Sequence, residues 1–231
     1  MAEPAAGTAG DEAGVRRRGE FRYGAVFLLM VALLVFVIIA QAGDATRAGV
    51  LAIEGAALLV VVGTSRERRA VRAARVRVIA VVAVLVVVAV ALGVFPLPLV
   101  LAANATLAFG IMITLVGGLL RLVRLKGVTL QVVMGALTIY VMTGLIFAWV
   151  VSIVAEIGDA AFFVQGSDAT QGDRVYYSFT VLTTTGFGDY TAATPVGHAL
   201  AVVEMLVGQL YLVTVIGVIV GDLASRSRSS S

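Results

Sequence analysis

The sequence predicts an all-α membrane protein with six transmembrane helices and a short re-entrant helix and loop between the fifth and the sixth. Three observations predict it. Of 231 residues, 60% are hydrophobic and 13% charged, and the mean hydropathy of +1.04 lies far outside the range of soluble domains. Apolar runs recur at lengths near the roughly 20 residues that a helix needs to cross a ~30 Å hydrocarbon core. The basic residues gather beside alternate runs.

Residues 1–19 are rich in Ala, Gly and charge and are expected to form a disordered cytoplasmic tail. The apolar run after them is too long and too far along for a cleaved signal peptide. Span one covers about 21–42, span two about 48–64 with Glu54 inside it, and span three about 76–95. Pro96 and Pro98 mark a tight turn, since proline ends helices and restricts the residue before it. Span four covers about 99–120 and carries Asn104; span five covers about 129–156 and span six about 196–221. Val- and Ile-rich runs favour strands in water, but in lipid the backbone must satisfy its own hydrogen bonds, so helix wins.

Six crossings put both termini on one side, and positive charge selects the cytoplasm. Inside fall Arg16, Arg17, Arg18, Arg22, the run from Arg66 to Arg77, Arg121, Arg124, Lys126, Arg226 and Arg228. Only Arg47 and Arg174 fall outside. The expected location is therefore the cell membrane, multi-pass, with cytoplasmic termini. The division is a tail over 1–19, a four-helix unit over 20–127, a hairpin unit over 128–222 and a short cytoplasmic tail over 223–231. With nothing beyond that tail in the sequence, gating by a nucleotide or calcium domain is not expected.

Residues 173–184 have the length and pattern of a short helix, with Asp173 as the expected N-cap. Thr184-Thr185-Gly186-Phe187-Gly188-Asp189 follows. Two glycines spaced by one aromatic let a backbone turn its carbonyls one way, and such loops around an axis offer oxygen rings in place of a potassium ion's water. The potassium filter loop Thr-Val-Gly-Tyr-Gly is the general example of that logic.

This stretch resembles the signature of tetrameric potassium channels, over about 129–221. The resemblance implies a pore helix and a selectivity-filter loop between helices five and six. It implies K⁺ binding by the Thr184 hydroxyl and by the carbonyls of Thr184, Thr185, Gly186 and Phe187, with Gly188 freeing the backbone. It also implies support by Asp189 from the outer mouth, bonded to the aromatic at Tyr176, with Thr180 one turn on. Phe187 stands where tyrosine is usual, Thr185 where valine or isoleucine is usual, and Val181 at the site of an upstream threonine.

Gly208 lies 20 residues after Gly188, a spacing similar to that of the inner-helix hinge glycine of two-helix potassium channels, which Gly197 and Met205 also match. Close helix packing explains a glycine there equally well. Leu212, Ile216 and Val220 recur every four residues and are inner-gate candidates, closing by dewetting; ordinary packing gives the same stripe. Glu204 is a carboxylate within a span, which calls for a partner such as a pore-helix hydroxyl, or a gating role. Gln209 is a candidate for the cavity wall. His198, the only histidine, begins span six as an interfacial residue or an external pH sensor. Glu156, Asp159, Asp168 and Asp173 make the outer loop acidic, which enriches cations or simply keeps it soluble.

Six spans with a loop between five and six resemble the voltage-gated cation-channel superfamily, making 20–127 a degenerate voltage-sensor domain. Voltage sensing needs several arginines on span four, each worth about 2.3 kcal/mol per 100 mV when carried across. Span four has none; Arg121 and Arg124 follow its cytoplasmic end. Steep voltage gating is not expected. The Arg66–Arg77 cluster reads as a positive-inside signal or an anionic-lipid contact. Glu54 and Asn104 have no evident partner.

One loop per chain cannot enclose an ion, so the expected assembly is a homotetramer passing K⁺ passively. The alternatives are a weakly selective cation channel, a potassium-uptake transporter subunit and a non-conducting membrane subunit. No cysteine, a single histidine and no paired carboxylates outside the loops argue against an enzyme. No cofactor is expected beyond K⁺ as the permeant ion, and no nucleic-acid partner, although the pI is near 9.6.

Overall fold

The computed structural model describes residues 8–40, 43–62, 69–166 and 169–229, with side chains described over 23–40, 43–61, 80–125, 127–166, 169–222 and at Ser225. Its elements are α1 (Thr8–Ile39), α2 (Asp44–Val62), α3 (Arg69–Ala91), α4 (Leu97–Lys126), α5 (Leu130–Ile157), α6 (Gln171–Leu182), α7 (Pro195–Leu210), a π-helical segment (Tyr211–Ile216) and α8 (Gly217–Ser229). No strand forms among the described residues; one isolated antiparallel bridge joins Phe163 to Ala192. Among the described residues, three helical stretches are long and apolar enough to cross a membrane: Leu97–Leu125, Leu130–Ile157 and Pro195–Asp222. Tyr23–Ile39 and Ala80–Ala91 are shorter apolar helices.

From Thr8 onward, within the stretch expected as a tail, the backbone belongs to α1. Ala, Glu and Arg are strong helix formers, and residues joined to an existing helix escape its nucleation cost. Between α3 and α4 the chain turns at Leu92 and Gly93, and Pro96 caps α4. Pro98 sits in the first turn of α4, where its missing N–H costs nothing.

Helix α5 occupies the middle, packed against α1, α4 and α6. Val132, Met142, Leu145 and Trp149 from α5 join Met30 and Leu33 from α1 and Ile111 and Leu115 from α4 in one apolar core. Glu54 on α2 reaches this core and accepts a hydrogen bond from Trp149 Nε1 at 3.3 Å. Its sequence-orphaned carboxyl thus ties α2 to α5. Asn104 is buried on α4, and its Oδ1 has no hydrogen-bond partner among the described residues.

A second cluster, Phe162, Phe163, Tyr177 and Ala192, seats the α5–α6 and α6–α7 loops on one another. Helix α7 differs from the rest. Only Gly197, Glu204 and Gly208 are buried along it, while Val202, Val203, Leu206 and Leu210 stay exposed. Of the expected basic cluster, Arg66 and Arg68 lie outside the described residues; Arg69 opens α3, which continues through Arg72, Arg75 and Arg77. Asp168 also lies outside the described residues.

Candidate functional site

Helix α6 starts three residues before its expected boundary. Thr170, not Asp173, is the N-cap: its hydroxyl accepts from Asp173 N–H, and the Asp173 carboxylate accepts from Thr170 N–H at 2.9 Å. A carboxylate at the third helical position reaches back to the cap's free N–H, so Asp173 closes a capping box from inside the first turn. Thr-x-x-Asp was present in the sequence, so this signal was available.

At the far end the chain leaves α6 and folds back under it. The Thr180 carbonyl accepts hydrogen bonds from the N–H groups of Thr185 at 2.9 Å and Gly186 at 3.1 Å, while Thr184 N–H donates to Val181 O at 2.9 Å. These bonds use carbonyls that a helix end would otherwise leave unpaired. Thr180 braces the loop through its main chain, because its hydroxyl donates to Tyr177 O at 2.8 Å. Gly186 and Gly188 have φ of +52° and +82°, a region that a Cβ disfavours. Residues 183–189 are all exposed in the single chain. Among the described residues, no carbonyl from Thr184 to Gly188 accepts a hydrogen bond. Thr185 Oγ1 lies 2.9 Å from Thr183 Oγ1, which gives the hydroxyl at the usual valine position a partner.

The outer end of the loop is framed by aromatics. A side-chain hydrogen bond from Tyr176 to Asp189 holds the tyrosine's pKa above its ordinary value, since ionising Tyr176 would place two anions together. Tyr190 is raised in the same way by its bond to Asp173. The Tyr176 ring stacks parallel to Phe187 at 6.3 Å between centroids. Gln165 Nε2 donates to Asp189 O, and Tyr190 N–H donates to Asp189 Oδ1 at 3.1 Å. His198 is exposed and its Nε2 lies 2.8 Å from Ala192 O, so it fastens the loop onto the start of α7. Glu156 and Asp159 are exposed at the end of α5. Tyr176→Phe removes the hydroxyl that this bond needs. Current through this variant is expected to decay faster during sustained opening, measured in planar bilayers; unchanged decay would dissociate this bond from the loop's stability.

Helix α7 meets α6 from the other side. Glu204 is fully buried. Ser178 Oγ stands 2.7 Å from Gly144 O and within bonding reach of Glu204 Oε1, which links α6, α5 and α7 at one point. Ser178 was not singled out from sequence, because a serine inside a helix pattern carries no mark of a partner 26 residues away. One turn later, a Cβ on Gly208 would stand 3.0 Å from the carbonyl carbon and from Cδ1 of Leu182, with the carbonyl oxygen nearer still. Close approach is therefore a sufficient reason for glycine here. Gln209 Nε2 donates to Thr184 Oγ1 at 2.8 Å.

The expected gate stripe of Leu212, Ile216 and Val220 crosses a change of helix type. A four-residue spacing presumes an α-helix, but Tyr211–Ile216 is π-helical, with Gly217 N–H bonded to Leu212 O. The wider turn rotates the residues that follow. In the single chain Ile216 packs against the main core, Leu212 is half-buried and Val220 is exposed. Tyr211 anchors the segment, its hydroxyl donating to Ala136 O at 2.7 Å.

Residues 135–224 match a family model described as "Ion channel". That region begins in α5 and runs through α6, the loop at 183–189 and α7 into α8. No curated protein and no solved structure matches the chain. The matched family is one of channels, not of enzymes. Together with the three long apolar helices, the match supports an ion channel in a membrane.

Proposed function

We propose that this chain is a potassium-selective channel that passes K⁺ passively through a homotetrameric pore, with Thr184, Thr185, Gly186 and Phe187 supplying the ion's ligands. One observation carries the reading: among the described residues the consecutive carbonyls from Thr184 to Gly188 accept no hydrogen bond, while the N–H groups of Thr185 and Gly186 are pinned to Thr180. Oxygens left free on a braced loop suit a cation that must shed water. Carbonyls facing one another across an axis need further copies, and the bare apolar side of α7 gives those copies a surface to cover.

In this proposal the chain crosses the membrane six times with both termini in the cytoplasm, and residues 20–127 form a degenerate sensor unit. Helix α4 has no basic residue before Arg121, so opening depends only weakly on voltage. Bending of the inner helix falls at Gly208 and at the π-helical turns just beyond it, since π segments interrupt the regular ladder. The hydroxyl pair Thr183–Thr185 favours strict over weak cation selectivity, because it leaves no unpartnered hydroxyl to draw water behind the loop.

The test is purified protein in liposomes, with oligomer mass measured in the same detergent. Four copies and K⁺ flux exceeding Na⁺ flux by at least about tenfold, or about 1.4 kcal/mol, are expected. A monomer, or equal fluxes, would overturn the proposal.

A further inference from the structure

Thr184 is tied to α7 by Gln209, and its backbone is unusual. Its φ of +56° makes it the only non-glycine with positive φ among the described residues. A β-branched residue adopts that region only when its surroundings hold it there. The main chain supplies one restraint, the bond from Thr184 N–H to Val181 O. The side chain supplies another. Thr184 Oγ1 donates its single proton to Thr183 O at 2.7 Å. It can then only accept from Gln209, which fixes the carboxamide with Nε2 toward Thr184. Gln209 Oε1 is left over, and it accepts no hydrogen bond among the described residues.

We infer that Gln209 is a positioning residue for Thr184 and that its Oε1 adds a further cation-binding position at the inner end of the loop, suited to a monovalent cation that still keeps part of its water. The inference rests on the channel reading above. Each copy contributes one neutral amide oxygen beside one hydroxyl oxygen, hard ligands of the kind that bind such ions. Neutral donors hold an ion weakly enough for it to move on. Gln209 is exposed in the single chain, so an apolar residue in its place disturbs no core contact.

The experiment is cytoplasmic block of K⁺ current by Ba²⁺, recorded on the assembled wild type and on Gln209→Leu, with Gln209→Met as a second apolar variant of similar length. Absence of wild-type K⁺ current would overturn the channel reading itself, before any variant is compared. Given that current, cytoplasmic block is expected to weaken by about tenfold in both variants, the size of one lost polar contact, with block from the extracellular side unchanged. In a Thr184→Ala background the Gln209→Leu effect should largely vanish, because the two residues act as one unit. Ba²⁺ titration calorimetry on the solubilised tetramers gives the same comparison if Thr184→Ala carries no current. Equal changes from both sides, no change, or an undiminished effect in the Thr184→Ala background would each overturn the inference.

Discussion

Gly208→Ala is expected to cost the protein its current and much of its thermal stability, although glycine-to-alanine inside a helix ordinarily gains about 1 kcal/mol. The sign reverses because of what the new methyl group meets. It would stand 3.0 Å from the Leu182 carbonyl carbon and closer to the oxygen. Leu182 O also accepts a hydrogen bond from Tyr140 at 3.4 Å, which further restrains the carbonyl. A backbone group cannot swing away as a side-chain end can. The clash is relieved only if α7 backs off from α6, which stretches the Glu204–Ser178 and Gln209–Thr184 contacts together. Overpacking of this kind costs about 1–3 kcal/mol per site. Gly110→Ala, where a Cβ meets nothing within 4 Å, is the matched control and is expected to be neutral or stabilising. Melting of the solubilised protein and macroscopic current read both variants; a silent Gly208→Ala would remove close packing as the reason for that glycine.

The second large effect is at Ser178. Its one hydroxyl proton faces two oxygens, the Gly144 carbonyl and Glu204 Oε1. A carbonyl can only accept, so the network is complete when the Glu204 carboxyl brings a proton of its own. Glu204 Oε2 has no hydrogen-bond partner among the described residues, which a neutral acid tolerates better than a carboxylate. Glu204→Gln can donate through its amide and is expected to melt within about 1 kcal/mol of wild type. Ser178→Ala strips the buried carboxyl of its partner and is expected to cost about 1–3 kcal/mol or more. Replacing both, as Ser178→Ala with Glu204→Leu, should recover part of that loss. Should Glu204→Gln melt far below Ser178→Ala, a charged role for Glu204 would replace this hydrogen-bond account.

Much of this arrangement could be read from the chain alone, and the reason is locality. Long apolar runs give helices because lipid and core both reward burial without exposed backbone. The loop at 184–189 is contiguous, so its glycines and oxygens were visible in one glance at six residues. What escaped was what joins distant positions. Trp149 pairs with Glu54 across 95 residues and Gln209 with Thr184 across 25; for Glu204 a pore-helix hydroxyl was expected, but not that Ser178, 26 residues away, supplies it. No periodicity encodes such partners. The π-helical turn at Tyr211–Ile216 was hidden for a different reason. Its sequence, Tyr-Leu-Val-Thr-Val-Ile, is as apolar as any α-helical stretch, so an α period was extended through it.

Selective dehydration at residues 184–188 is the central claim, and a bi-ionic recording addresses it most directly, with K⁺ alone on one side of a planar bilayer and Na⁺ alone on the other. Each tenfold preference for one monovalent ion displaces the zero-current voltage by about 59 mV. The account predicts a displacement of at least that size, in the direction that marks K⁺ as the preferred ion. A zero-current voltage at 0 mV would contradict it.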